Sequence, residues 1–360
     1  MIAAVRTLVL GIVASLTACG YENDQSAVNP FSDSARMSDD LYNFILAIDT
    51  VICIIVAVAI IYAMVKFRYR GQTERPKQVH GHTLLETTWT IIPVFILISI
   101  MVPTTKTTFA QQSPPPADAL RIKVIGKQWW WEYEYVETGV VVANELVIPV
   151  GQPIHLDMIS TDVIHSWWVP ALSGKRDVQP WGNNLLQFTA DKPGTYVGQC
   201  AEYCGDSHGL MRTRVEVKSQ EDFDKWLAHQ AKDALPPQDP KVAGALAQCN
   251  ACHALRGVLP GQPRTKVSGP DLTHLASRGS LFSDLFTLPA EPEAKRAEMK
   301  KHLKRWLDDP RAVKPGVRMP GHGVTYPTPA EDRVRGVAPN ALNIESEVVD
   351  GIVDYLTTLE

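Results

Sequence analysis

Two apolar runs dominate the hydrophobic pattern of the chain. Residues 41–67 and 84–102 carry almost no charge, and each is long enough to cross about 30 Å of hydrocarbon as a helix. They predict a transmembrane hairpin over 39–106, with helices at about 41–67 and 84–103. A shorter run, Leu8 to Leu16, follows Arg6 and ends in small residues. It is too short to span a bilayer and reads as a signal sequence over 1–18. The polar stretch 19–38 has no periodicity and reads as a tether. Beyond the hairpin, Ser113 to Pro116 breaks the chain and the period changes. Over 118–220, short alternating segments such as I-H-L-D-M-I-S and M-R-T-R-V-E-V-K are punctuated by P-V-G-Q-P, D-K-P-G-T and L-S-G. Such spacing predicts an all-β sandwich or barrel. Over 221–240 a helical segment with Phe223, Trp226 and Leu227 on one face gives way to a proline-stiffened linker from Leu235. Over 241–360 the pattern is helical, ending in an amphipathic stretch with Val348, Ile352 and Leu356 along one face. Thr325 to Asn343 is proline-rich and has no assigned role.

Charge orients the hairpin. Lys66, Arg68, Arg70, Arg75 and Lys77 lie between the two runs and mark the cytoplasmic side. Everything after residue 103 therefore lies on the periplasmic or extracellular side of a bacterial inner membrane. The net charge of -4 gives no reason to expect a nucleic-acid partner. Asp49, inside the first run, faces a partner subunit or reaches the outer interface. Of six cysteines, Cys53 reads as a small core residue, and no disulfide framework is needed.

The chemistry concentrates in Cys200 to Met211, C-A-E-Y-C-G-D-S-H-G-L-M. Cys200, Cys204, His208 and Met211 are all possible ligands for a soft metal. Two thiolates can bridge two coppers if each also takes one imidazole. The second imidazole must come from elsewhere, and His165 in T-D-V-I-H-S-W-W-V-P is the candidate. A disulfide loop or a zinc site would use the cysteines. Neither accounts for Met211 or His165.

This stretch, with its upstream histidine, resembles the dinuclear copper (CuA) loop of cytochrome c oxidase subunit 2, and the likeness runs over nearly all of 38–218. The resemblance implies a cupredoxin-like Greek-key sandwich. It implies that the backbone carbonyl of Glu202 is also a copper ligand, with its carboxylate reaching a magnesium. Trp129, first of the rings in W-W-W-E-Y-E-Y, matches the family's electron-entry residue, while the other rings read as core and interfacial packing. Glu86 in H-T-L-L-E-T-T-W matches the family's proton-entry glutamate. As a first-turn acid it is also favoured by the helix dipole. His80 and His82 read as interfacial. Leu16-Thr17-Ala18-Cys19 resembles a lipoprotein cleavage box, implying a mature protein acylated at Cys19.

Cys249-Asn250-Ala251-Cys252-His253 is the C-x-x-C-H signature of covalent haem c. With S-G-P-D-L and K-P-G-V-R-M-P downstream, 241–360 resembles an all-α class I cytochrome c. On that match Cys249 and Cys252 hold the haem, His253 ligates the iron and Met319 is the sixth ligand. Met299, His274, His302 and His322 are its rivals. Met299 reads as surface or groove packing, and His274 and His302 as solvated. The whole chain then resembles an oxidase subunit 2 with a fused cytochrome. It would pass electrons from haem to copper and on to a catalytic subunit 1, with subunit 3 beside it, that reduces oxygen to water and translocates protons. Its donor would be a cytochrome c or a quinol-oxidising complex. A subunit of a copper-containing nitric oxide reductase is the alternative. The fused unit is expected to dock near Trp129 through weak, reversible contacts on its tether.

Overall fold

The computed structural model describes residues 25–71, 78, 80–259, 268–322, 342 and 344–360. The signal sequence, Cys19, Arg75, Lys77 and nearly all of 325–343 lie outside the described residues. Helix α1, Asp33–Lys66, and helix α2, Thr83–Gln111, form the hairpin. At 34 residues, α1 is about 50 Å long, far more than the hydrocarbon thickness. The surplus is the segment 33–40, which forms part of the helix and not of a tether. Ser32 starts it as N-cap, its hydroxyl accepting from Ala35 N at 3.0 Å. Helix α2 likewise outruns its apolar stretch, continuing through Pro103 to Gln111. Both helices turn their apolar side chains outward, as lipid or a partner requires. Cys53 is exposed there and is not a core residue.

The outer ends of the hairpin are fixed to the sandwich. Phe31 N donates to Ala171 O at 2.8 Å, and Thr189 N donates to the Asp33 carboxylate at 2.7 Å. Arg36 pairs with Asp191. Tail residues that read as an unstructured tether are therefore part of the globular face.

The sandwich comprises β1 (Leu120–Lys127), β2 (Trp130–Tyr135), β3 (Val141–Ala143), β4 (Glu145–Pro149), β5 (Pro153–Ser160), β6 (His165–Trp168), β7 (Arg176–Val178), β8 (Asn184–Thr189), β9 (Gly194–Cys200) and β10 (Arg212–Lys218). One sheet runs β3-β2-β1-β5-β8 and the other β4-β10-β9-β6-β7. Each contains one parallel pair, β1 with β5 and β4 with β10. Trp131, Tyr133, Tyr135, Leu146, Leu156 and Trp167 fill the space between the sheets. The aromatic run thus packs as core, as its composition predicts.

Helix α3, Gln220–Gln230, lies on the sandwich, with Phe223 and Trp226 against Tyr135. A helical unit follows, built on α4 (Pro240–Leu246), α5 (Pro292–Asp308), the short α6 (Pro310–Val313) and α7 (Ser346–Leu356). Val242, Leu246, Met299, Leu303, Ile352, Val353 and Leu356 form its core. Met299 is buried there and is not a surface residue. His274, expected in solvent, is buried between Glu360 O (2.7 Å from Nδ1) and Lys232 O (3.0 Å from Nε2). His302 stacks on Phe286 at 3.9 Å between centroids and lies near Glu298. The two strands β11 (Ser280–Leu281) and β12 (Phe286–Thr287) form a small hairpin.

The helical unit is not loosely tethered. Arg256 donates to the carbonyls at the end of α3, including Lys232 O at 3.1 Å, and Tyr355 OH donates to Leu235 O at 2.8 Å. Against the sandwich, Arg214 and Asp284 form an almost fully buried ion pair at 2.5 Å. Glu145 accepts from Ser280 Oγ at 2.7 Å and Gly279 N at 3.0 Å. Val317 joins the core cluster of the sandwich. The two units thus meet over a packed face with buried polar contacts. Such a pair fixes which atoms must meet more than it adds net stability, because each charge gives up its hydration to form it.

Candidate metal centre

The end of β9, the loop 201–211 and the start of β6 bring the thiol-rich residues together. Backbone bonds set the frame: Cys200 N donates to Met211 O at 2.9 Å and Ala201 N to Ser166 O at 2.9 Å. A short 3-10 turn, His208–Leu210, folds the loop back so that Met211 enters the core, fully buried. The two sulfurs are 3.8 Å apart and both cysteines are free. His165 Nδ1 lies 4.0 Å from Cys200 Sγ, and His208 Nδ1 lies 3.5 Å from Cys204 Sγ. Met211 Sδ is 3.9 Å from Cys204 Sγ, and Glu202 O is 3.3 Å from Cys200 Sγ. His165, Cys200 and Cys204 offer ligand atoms within 4.8 Å of one another. Each sulfur therefore has its own imidazole, and every residue named for this loop from the sequence arrives at one place.

The electrostatics favour a thiolate. Its contact with Cys204, and then that with His165, pull the Cys200 thiol well below its ordinary value, against the cost of burial. The same contact with Cys200 pushes Cys204 up. Burial opposes charge on His165, but the Asp162 carboxylate and the Cys200 sulfur together outweigh it and raise the imidazole. Asp162 Oδ1 sits 2.8 Å from His165 Nε2, which leaves Nδ1 turned toward the sulfurs. Asp162 escaped the sequence reading, although its place three residues ahead of His165 was the available signal. Gln128 Nε2 and Trp129 Nε1 both donate to Cys204 O, at 2.8 and 3.0 Å.

Trp129 is closed off. It is 6 % exposed, covered by the segment 314–317 of the helical unit. A Cβ at Gly316 would come within 2.6 Å of Trp129 Cη2, so only glycine fits there. Lys314 donates its Nζ to Trp129 O and, at 2.9 Å, to Ser283 Oγ. Burial pulls this lysine down to about 7, against the raising influence of Cys204.

A second donor set lies in the helical unit. Cys249 and Cys252 share one turn, with Cys252 N donating to Cys249 O at 3.1 Å. His253 Nδ1 lies 2.8 Å from Pro270 O and must donate to it, which leaves the Nε2 lone pair for a ligand. Gly269 packs flat on the imidazole, and a Cβ there would sit 2.5 Å from Cε1. The S-G-P-D-L segment thus fixes the ring. Met319 is half-buried, its sulfur accepting from Trp306 Nε1 at 2.9 Å. His322 instead faces Asp308 at 3.8 Å. In the hairpin, Glu86 accepts from His82 N at 3.0 Å, while His82 Nδ1 accepts from Leu85 N at 3.3 Å. That is a reciprocal helix cap.

A β-sandwich held on a membrane hairpin, with paired thiols and imidazoles at one end, defines a membrane-bound redox subunit. The chain belongs to the cytochrome c oxidase subunit 2 family. Residues 24–107 match the family's transmembrane domain and 138–218 its periplasmic domain. It is 33 % identical over 331 residues to cytochrome c oxidase subunit 2 of Alkalihalophilus pseudofirmus, covering 88 % of this chain and 90 % of that one. It is 30 % identical over 334 residues to the Bacillus subtilis protein, covering 87 % and 89 %. Quinol oxidase subunit 2 of Bacillus cereus is 33 % identical over 218 residues, 58 % of this chain and 74 % of that one. The periplasmic domain of subunit II of the Bradyrhizobium japonicum oxidase is 32 % identical, covering 32 % of this chain and 96 % of that one, with a TM-score of 0.32. The chain is thus a membrane-embedded member of the cytochrome c oxidase subunit 2 family.

Proposed function

We propose that this chain is the electron-entry subunit of a proton-translocating oxidase, with a dinuclear copper centre in the sandwich and a covalent haem c in the helical unit. The observation that carries this reading is the convergence of two thiols, two imidazoles, a thioether and a carbonyl at one buried point. Cys200 and Cys204 would bridge two coppers, with His165 and His208 one on each. Met211 and the carbonyl of Glu202 would be the weaker ligands. The pair, when bound, supplies a one-electron carrier. The residues do the rest: Asp162 orients His165, the core holds Met211, and the sandwich shuts out water. The exposed carboxylate of Glu202 is free to reach a magnesium shared with subunit 1.

For the haem, Cys249 and Cys252 would form the thioether bonds and His253 and Met319 the axial ligands, a pair suited to onward electron transfer. The Nε2 of His253, for which no hydrogen bond is seen among the described residues, and the glycine beside its ring fit that group. Electrons would enter from a cytochrome c or a quinol-oxidising complex, pass Trp129, and leave for subunit 1, flanked by subunit 3, where oxygen is reduced. Both soluble units would face the periplasm. Cys19 would carry a lipid, and intact-mass analysis showing an unmodified terminus would sink that part. A quinol oxidase subunit would need neither donor set. Purification with the catalytic subunit tests the whole: two coppers and one covalent haem per chain, with oxygen uptake from reduced cytochrome c, are expected. A preparation that consumes oxygen from quinol but contains no copper in this chain would overturn the reading.

A further inference from the structure

The two donor sets are joined by a continuous line of contacts that neither of them requires. Trp306 Nε1 donates to Met319 Sδ at 2.9 Å. The Trp306 ring stacks on Phe282 at 4.3 Å between centroids and 15° between planes. Phe282 is bonded to Ser283, whose hydroxyl lies 3.0 Å from Trp129 O and 3.1 Å from Asn144 Oδ1. Trp129 Nε1 reaches Cys204 O at 3.0 Å. Trp306 packs against the sandwich core, whereas Phe282 and Met319 pack against the helical core, so the stack itself crosses the boundary.

The turn at the centre of this line has an unusual backbone. Phe282, Ser283 and Asp284 have φ of 54°, 63° and 58°, three successive non-glycine residues in the left-handed region. That conformation costs roughly 1–2 kcal/mol per residue. The turn is kept in place by its surroundings: Asp284 by Arg214, Ser283 by Lys314 and Asn144, Phe282 by Trp306 and Phe286. The common two-residue hairpin turns place at most two residues at positive φ, whereas here three follow one another. This one instead directs an aromatic ring to the Met319 side and a hydroxyl to the Trp129 side.

We propose that the turn Phe282–Ser283–Asp284, clamped by Lys314, is the bridge by which electrons cross from the helical unit to Trp129. Phe282 and Trp306 form its haem side and Ser283 its copper side. The proposal rests on the haem and copper reading above. One electron crosses per event, leaving the haem iron oxidised by one and the copper pair reduced by one. No bond is made or broken and no proton moves. Ser283 and Phe282 act through Trp129 and Trp306, so they are positioning residues.

The test uses the full complex carrying Ser283→Ala or Phe282→Leu. Covalent haem, copper absorption and both reduction potentials are recorded first. Haem oxidation and copper reduction are then followed after flash photoreduction, and amide exchange is measured at Gly279, Leu285 and Leu288. Transfer in Ser283→Ala and Phe282→Leu should be about tenfold slower or more, equal to about 1.4 kcal/mol at the barrier. Amide protection should persist in both variants. Wild-type transfer in both variants would overturn the bridge. So would slowing that appears only together with lost amide protection, which would reduce the turn to a docking role. A wild-type complex without covalent haem would overturn the underlying reading, and the bridge with it.

Discussion

The closed face between the sandwich and the helical unit makes a quantitative prediction at Asp284→Asn. Asparagine tolerates the left-handed φ of 58° and keeps the side-chain shape, so the change removes charge and little else. Arg214 would then lose its ion-pair partner in a site where the side chains of the pair are 9 % and 7 % exposed, with the buried Glu145 carboxylate as the remaining charge beside it. Thr287 Oγ1, at 3.1 Å, would be its remaining polar neighbour from the hairpin. Losing one partner of a buried pair costs about 3–5 kcal/mol, and we take about 3 because asparagine retains an acceptor. If that cost falls on the docked state, opening becomes more than about a hundredfold more frequent. Hydrogen exchange reads this directly. Gly279 N, held by Glu145, and Leu288 N, held by Gly279 O, should lose protection to that degree, while amides deep in β1 and β5 should not. Arg214→Met alone should be as damaging, since it leaves the carboxylate buried. The double variant Arg214→Met, Asp284→Asn should recover part of the loss, because the unpaired partner of the Arg214–Asp284 pair is gone while Glu145 still loses the charge of Arg214. Unchanged protection in Asp284→Asn, or a double variant no better than either single one, would refute the view that this pair holds the units together.

Cys204→Ser should abolish the mixed-valence near-infrared absorption of the copper pair, and a retained band at normal copper content would exclude bridging. Met319→Ala should leave the haem covalently bound but lower its reduction potential; an unchanged potential would move the sixth ligand to His322 or Met299. Lys314 gives a pH signature: its docked value near 7 lies below the ordinary 10.5, so the undocked chain binds an extra proton between those values. Docking should therefore strengthen as pH rises from about 7 toward 10.5, by up to about 1.4 kcal/mol per unit, and denaturant midpoints in Lys314→Met should lose that slope. Glu86→Gln keeps an acceptor for His82 N, so the helix cap should survive; slowed oxygen turnover with normal copper reduction would assign Glu86 to proton entry, and unaltered turnover would leave it the cap alone.

Much of this molecule is legible from local pattern. The apolar runs, the alternation of the strands and the spacing of Cys200, Cys204, His208 and Met211 each depend on residues near one another in the chain. Backbone geometry converts such spacing into shape with little help from elsewhere. Even His165, distant in sequence, follows from ligand counting. The start of α1 at Asp33 was less apparent because six polar residues among 33–40 hide a helix that leaves the membrane and docks on β8. What the tertiary structure alone decided is the junction. Ser283, Glu145 and Arg214 are common polar residues with no motif around them, Lys314 opens a segment that stood out only for Met319, and His274 reads as an ordinary surface histidine. Each acquires its role from a partner brought in from a distant part of the chain, often more than a hundred positions away. A buried polar group is stabilised only by the particular atoms that satisfy it, and those atoms meet only when both cores have formed.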